Sequence, residues 1–206
     1  MTRHKIAVIP GDGIGKEVIP EGIKMVETAA KLFGVTFEWV EFDWSCERYH
    51  KEGAMMPADG IEQLAKFDAI YLGAVGYPGV PDHISLWGLL LPIRRRFDQY
   101  VSLRPVRLFE GVASPLANIN PEGKFPSMFE PVHGSAPDIA GLGIANPIGA
   151  IWSAAMMVQH LGYEEIHNVM MNAIEGTLRD GKTLTKDMGG NANMSEMMAA
   201  ILGKLG

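Results

Sequence analysis

The sequence predicts an α/β fold built on a largely parallel sheet, and three observations carry that reading. Short β-branched runs alternate with stretches of helical periodicity through the first half of the chain. Glycine-rich turns follow two of those runs, at the strand ends where open α/β sheets place their ligands. The 206 residues, 47% hydrophobic and 20% charged, supply enough apolar material for one full core without disulfides.

The elements follow in order. Ile6 to Ile9 reads as a strand, Val18 to Leu32 as a helix, Phe37 to Phe42 and Ala69 to Leu72 as further strands. Leu86, Leu89, Leu90 and Ile93 recur at helical spacing between Ser85 and Phe97, with Pro92 expected to disturb the last turn and the arginine triplet Arg94 to Arg96 facing outward. Tyr100 to Leu108 reads as a strand that Pro105 interrupts, which places it at a sheet edge or end. From Glu110 to Ser127, Gly111, Pro115, Pro121, Gly123 and Pro126 signal a loop, and the βα alternation stops. Helices resume at Pro147 to His160, Glu164 to Arg179 and Ser195 to Leu205.

Charge and composition narrow the function classes. Eighteen basic against 24 acidic side chains give a net charge of −6 with dispersed basic residues, which argues against nucleic-acid binding. The apolar run before Gly11 is five residues long, and no run approaches the roughly 18 that a membrane span requires, so a cytoplasmic protein is expected. The single cysteine, Cys46, lies in a polar context (DWSCERYH) and suits a reducing compartment; a catalytic thiol is the other reading.

Four motifs are candidates for chemistry. Pro10-Gly11-Asp12-Gly13-Ile14-Gly15 joins a strand to a helix, either as a tight turn alone or as a turn that brings backbone amides to a ligand. Gly73-Ala74-Val75-Gly76 ends a strand in small residues, either to admit a ligand or to relieve dihedral constraint. Arg94 and Arg104 could both face the crevice beyond the strand ends and bind carboxylates in bidentate fashion, whereas Arg95 and Arg96 read as a solvated face. In FEPVHGSAPDIAG, residues 129–141, small residues surround His133 and Asp138; an aspartate there can accept both ribose hydroxyls of an adenosine and repel a 2′-phosphate. His133 taken alone reads as a structural histidine, and Asn146 as an N-cap.

PGDGIGKEV, GAVGYP, IRRRFDQYVSLRPV, FEPVHGSAPDIAGLGIANP and LTKDMGGNANMSE occur in one order, and together they resemble the β-decarboxylating dehydrogenases of isopropylmalate, isocitrate and related hydroxyacids. VPDHISLWG followed by RRRFDQYVSLRPVRL is most similar to the branch that acts on tartrate and D-malate. The resemblance implies the three-layer isopropylmalate dehydrogenase-like α/β fold, NAD as cofactor, Mg²⁺ or Mn²⁺, a small hydroxyacid substrate and a homodimer. It assigns Arg94 and Arg104 to the substrate carboxylates and Trp87 and Leu90 to substrate choice. It assigns Ile14, Ala74, His133, Gly134, Ser135, Ala136, Asp138, Ile139 and Asn146 to the cofactor, with Asp138-Ile139 the pattern of NAD-preferring members; Leu142 departs from the Lys of many relatives.

The resemblance also implies a gap. Between Gly111 and Asn118 the family carries a further stretch of roughly one domain, with its third substrate arginine, catalytic Tyr and Lys, metal aspartates and dimer contact, and this chain crosses that stretch in GVASPLAN. The expected organisation is one α/β domain made of residues 1–108 and 118–206, joined by a loop at 109–117, mainly the family's first domain. No catalytic residue and no metal ligand is retained; Asp12, Asp82, Asp98 and Glu110 are the nearest carboxylates by sequence and show no ligand spacing. Two readings follow: an NAD- and metal-dependent oxidative decarboxylase, or an inactive NAD-binding remnant that acts alone or with a full-length relative.

Overall fold

A computed structural model describes residues 3–105 and 114–205. Its centre is a six-stranded sheet in the order β2-β1-β3-β6-β5-β4, formed by β1 (His4–Gly11), β2 (Phe37–Glu41), β3 (Ala69–Ala74), β4 (Val101–Leu103), β5 (Pro115–Ile119) and β6 (Ser127–Pro131). β2, β1, β3 and β6 run parallel, and β5 and β4 are added antiparallel.

Side chains on a strand alternate between faces, so each central strand feeds two cores. Ile6, Val8, Ala69, Tyr71 and Phe129 enter one core, with α1 (Gly15–Lys31), α6 (Ile148–His160), α7 (Glu164–Asp180) and α8 (Met194–Leu202). Ala7, Ile9, Ile70, Leu72 and Met128 enter the other, with α2 (Cys46–Glu52), α3 (Gly60–Leu64), α4 (Asp82–Ser85) and α5 (Leu91–Arg96) nearby. Helices on both faces of the sheet make the three layers expected. α6 is buried from Ile148 to Val158 because α1, α7 and the sheet enclose it, and the Tyr71 hydroxyl donates to the Ala150 carbonyl at 2.8 Å.

Two expectations need correction. The stretch read as a loop from Glu110 to Ser127 contains β5: Pro115 opens the strand and Pro131 closes β6 opposite it, positions where a missing N–H does not break the ladder. Pro92 does not disturb the end of its helix; one wide turn over Leu86–Leu90, in which the Leu91 N–H reaches the Leu86 carbonyl, precedes it, and Pro92 takes the first turn of α5. β4 lies at the sheet edge, ahead of Pro105, as expected, while residues 106–113, including Leu108, Glu110 and Gly111, lie outside the described residues.

Candidate cofactor and carboxylate site

The chain leaves β1 for β2 on one side and returns to β3 on the other, so the topological switch lies beyond the carboxyl ends of β1 and β3. There the Pro10–Gly15 turn makes close backbone crossings. A Cβ on Gly11 would lie 1.9 Å from the Ala74 carbonyl oxygen, and one on Gly13 would lie 2.0 Å from that of Ser135; both glycines have positive φ. The Asp12 N–H donates to Ala74 at 2.7 Å and the Ile14 N–H to Ser135 at 2.8 Å. These amides are therefore engaged with protein, and of the two readings of the turn the structure shows the tight crossing. Gly73 likewise serves contact, since its Cβ would meet the Pro10 carbonyl at 2.2 Å.

The turn also holds the loop that carries His133. Glu17 of α1 accepts the N–H of Gly141, and that of Gly143 at 3.1 Å; the Gly143 carbonyl accepts from Met194 at the start of α8 at 2.9 Å. Asn146 accepts from the Ile148 N–H at 3.0 Å and donates to Asp187 at 3.0 Å, but the cap position of α6 falls to Pro147, one residue later than expected, so Asn146 braces the approach to the helix and is not its N-cap. Ala136 adopts φ 41°, a left-handed conformation that such clamping sustains.

A cavity of about 420 Å³ opens against this loop, and Ile14, His133, Ile139 and Asn146 line it together. Ile144, Lys186 and Asp187 also line it, and none was singled out in the sequence, although Lys186 and Asp187 stand in LTKDMGG. The two belong to a single short helical turn, Lys186–Met188, which gives no periodic signal. His133 Nδ1 lies 3.0 Å from the Gly134 carbonyl, while Nε2 is buried without a partner; burial lowers the imidazole pKa below its usual 6.5. With Nδ1–H donating to Gly134, Nε2 presents a lone pair.

Arg94, Arg104, His133 and Gly134 line a second cavity of about 380 Å³, with Glu130 and Leu116. His133 thus borders both cavities. Arg94 Nη2 lies 2.6 Å from Glu130 Oε1, whereas Arg104 is exposed and carries no ion pair among the described residues. Arg95 and Arg96 face solvent as expected, Arg95 lying 4.6 Å over the Trp87 ring.

The other candidates sit apart. Trp87 is exposed on the helix face beneath Arg95, Leu90 packs on the second core, Ala74 is buried, and Ser135 meets α1 through its carbonyl; none lines either cavity. Asp138 is exposed and is not among the lining residues, where Asp187 stands.

The carboxylates near the site are committed or scattered. Asp12 is fully buried and accepts from the N–H groups of Cys46 at 3.1 Å, Glu47 at 3.3 Å and Gly76 at 3.0 Å. Among the described residues no three His, Cys, Asp or Glu side chains are grouped so as to hold a metal ion. Cys46 is buried, and burial beside Asp12 pushes its thiol up to about 12, which removes the thiolate that a nucleophile needs.

The model of the isocitrate/isopropylmalate dehydrogenase family matches residues 5–125 and 113–201. The chain belongs to that family. It is 33% identical to a tartrate dehydrogenase/decarboxylase of Pseudomonas putida, with 96% of each chain covered, and 33% identical to a D-malate dehydrogenase (decarboxylating) of Escherichia coli K12, with 98% of each covered. The fold is that of isocitrate dehydrogenase from Methylococcus capsulatus, at a TM-score of 0.82 and 17% identity over 98% of this chain and 99% of that one. A β-decarboxylating dehydrogenase from Thermococcus kodakarensis superimposes at 0.79, with 22% identity over 98% and 96%. The alignment with the Pseudomonas putida protein spans 352 positions, and the 206 residues here leave at least 146 of them without a counterpart.

Proposed function

We propose that this chain binds NAD(H) and a small 2-hydroxyacid of the tartrate or D-malate class in adjoining cavities, and does not by itself complete oxidative decarboxylation. The observation that supports this most is His133, which borders both the cavity beside Ile14 and the cavity beside Arg94 and Arg104.

The first cavity suits a dinucleotide. Ile14, Ile139 and Ile144 offer apolar walls, the unpartnered His133 Nε2 can accept from an exocyclic amine, and Asn146 and Asp187 offer polar groups to sugar hydroxyls. Asp138, assigned by resemblance, would disfavour a 2′-phosphate. NAD supplies the hydride acceptor when bound. In the second cavity Arg104, which has no ion pair among the described residues, presents its guanidinium to a carboxylate, and Arg94 lies across the same opening.

The described residues do not fit a divalent cation, since Asp12 is occupied by three amides and Glu130 by Arg94 and Asn118, and no three His, Cys, Asp or Glu side chains among them are grouped to hold one. Decarboxylation needs charge stabilisation on the developing enolate and a base for the hydroxyl proton. The family's groups for both, with its dimer contact, belong by resemblance to the stretch this chain crosses in a few residues. Residues 1–108 and 118–206 are accordingly read as a single binding domain, and the lone buried cysteine suits a cytoplasmic setting.

The exposed edge favours a second reading, association with a full-length relative: Tyr100, Val101 and Leu103 on or beside β4 are 66%, 38% and 48% exposed. Co-elution of the two proteins tests it. For the first reading, NADH titration should give saturable fluorescence enhancement and a rise in Tm, about 2.7 kcal/mol of stabilisation at a hundredfold excess over Kd. An unchanged Tm with no fluorescence response contradicts it.

A further inference from the structure

A third cavity, of about 390 Å³, lies where β1 and β2 end, between the start of α1 and the length of α2. None of its lining residues borders the two cavities that meet at His133. Pro10, Pro20 and Phe42 give it apolar walls, and ring contacts with Trp44 and Phe67, at 4.6 and 5.5 Å between centroids, hold Phe42 in place. The rest of the lining is largely charged.

Most of those charges offset one another. Lys16 Nζ lies 2.7 Å from Glu47 Oε1, and Arg48 is shared between Asp43, at 3.4 Å, and Glu52. Two groups on the same cavity are left over. Lys51 stands one helical turn after Glu47, the spacing at which the two would pair, but Glu47 is taken by Lys16 and the adjacent Glu52 by Arg48. Glu41, the last residue of β2, is exposed, and the other lining cations, Lys16 and Arg48, are engaged elsewhere. Among the described residues Glu41 and Lys51 form no ion pair, either with each other or with another side chain.

We infer that this cavity binds a free α-amino acid with an apolar side chain, its ammonium group at Glu41, its carboxylate at Lys51 and its side chain against Pro10, Pro20 and Phe42. One unpaired acid and one unpaired base on a single apolar-walled cavity match a molecule that carries both charges, whereas a monocarboxylate or a simple amine satisfies only one of them. Four carboxylates against three cations leave the lining negative by one charge, so the ammonium group is the stronger requirement. This assignment stands apart from the NAD(H) and hydroxyacid reading, which rests on other residues.

Backbone-amide NMR of the whole chain tests it, below pH 7 where the amines are protonated. The probes are L-norleucine, L-norleucinamide, which lacks the carboxylate, and N-acetyl-L-norleucine, which lacks the ammonium group. L-Norleucine should shift the signals of Gly11, Phe42 and Lys51 saturably and leave those of His133 and Asn146. Norleucinamide should bind about fivefold more weakly, and the N-acetyl compound more weakly still. Glu41→Gln should weaken norleucine and norleucinamide about fivefold, and Lys51→Gln should weaken norleucine alone. Both side chains are exposed, so neither change disturbs the core. Absence of saturable shifts, equal binding of the three compounds, or a norleucine affinity that either substitution leaves unchanged overturns the inference.

Discussion

Glu17 accepts the amide N–H of Gly143 at 3.1 Å across 126 residues of sequence, and with the N–H of Gly141 on its other oxygen it fastens to α1 the loop beside the cavity that Ile14 and His133 line. Charge-assisted bonds to amides contribute roughly 1.5–3 kcal/mol each, less where water competes. Glu17→Ala should lower stability by about 1–3 kcal/mol and weaken NADH binding, because the loop would no longer be preorganised. Urea denaturation and NADH titration check both, and unchanged values in each would detach this clamp from the site.

The glycines of the first turn give a prediction that separates contact from dihedral strain. Gly13 and Gly34 both have positive φ, but a Cβ at Gly13 would lie 2.0 Å from the Ser135 carbonyl, while nothing lies within 4 Å at Gly34. Gly34→Ala should therefore cost about 1 kcal/mol, and Gly13→Ala clearly more, since the Ile14–Ser135 crossing must open. Equal losses in chemical denaturation would mean that the crossing adds nothing.

Cys46 is predicted to be inert in the folded protein. It is fully buried and its thiol is pushed up to about 12, so a disulfide reagent at pH 8 should react at the rate of unfolding and promptly in denaturant. Rapid modification of the native chain contradicts this.

Much of the fold was legible because local pattern and tertiary environment agreed. Ile6 to Ile9 and Ala69 to Leu72 are apolar at every position since both faces of those strands are covered, and α7 keeps helical periodicity from Glu164 to Asp180. β5 was hidden because its prolines mark strand ends, which sequence alone cannot tell from a loop. At the candidate site, Ile14, His133, Ile139 and Asn146 line one cavity, and Arg94 shares another with Arg104. The Arg94–Glu130 pair was not legible: 36 residues and a strand crossing separate its members, and no spacing rule connects them.

Asp138 and Asp187 compete for the role of the adenosine-side carboxylate. The resemblance assigns it to Asp138, which is exposed, whereas Asp187 lines the cavity. Asp138→Lys should weaken NADH binding about tenfold or more by replacing a hydroxyl acceptor with a cation, without changing the Tm of the free protein. Unchanged affinity in a fluorescence titration would move that role to Asp187.

On the proposed reading, this chain binds NAD(H) and a hydroxyacid carboxylate without the family's means of turnover. NADH production by the purified protein with D-malate or tartrate, NAD, K⁺ and Mn²⁺, beside an intact relative, tests it most directly. No NADH above background is expected while the relative is active. Turnover that Arg104→Gln abolishes would contradict it, and would mean that groups within these 206 residues supply both the base and the charge stabilisation.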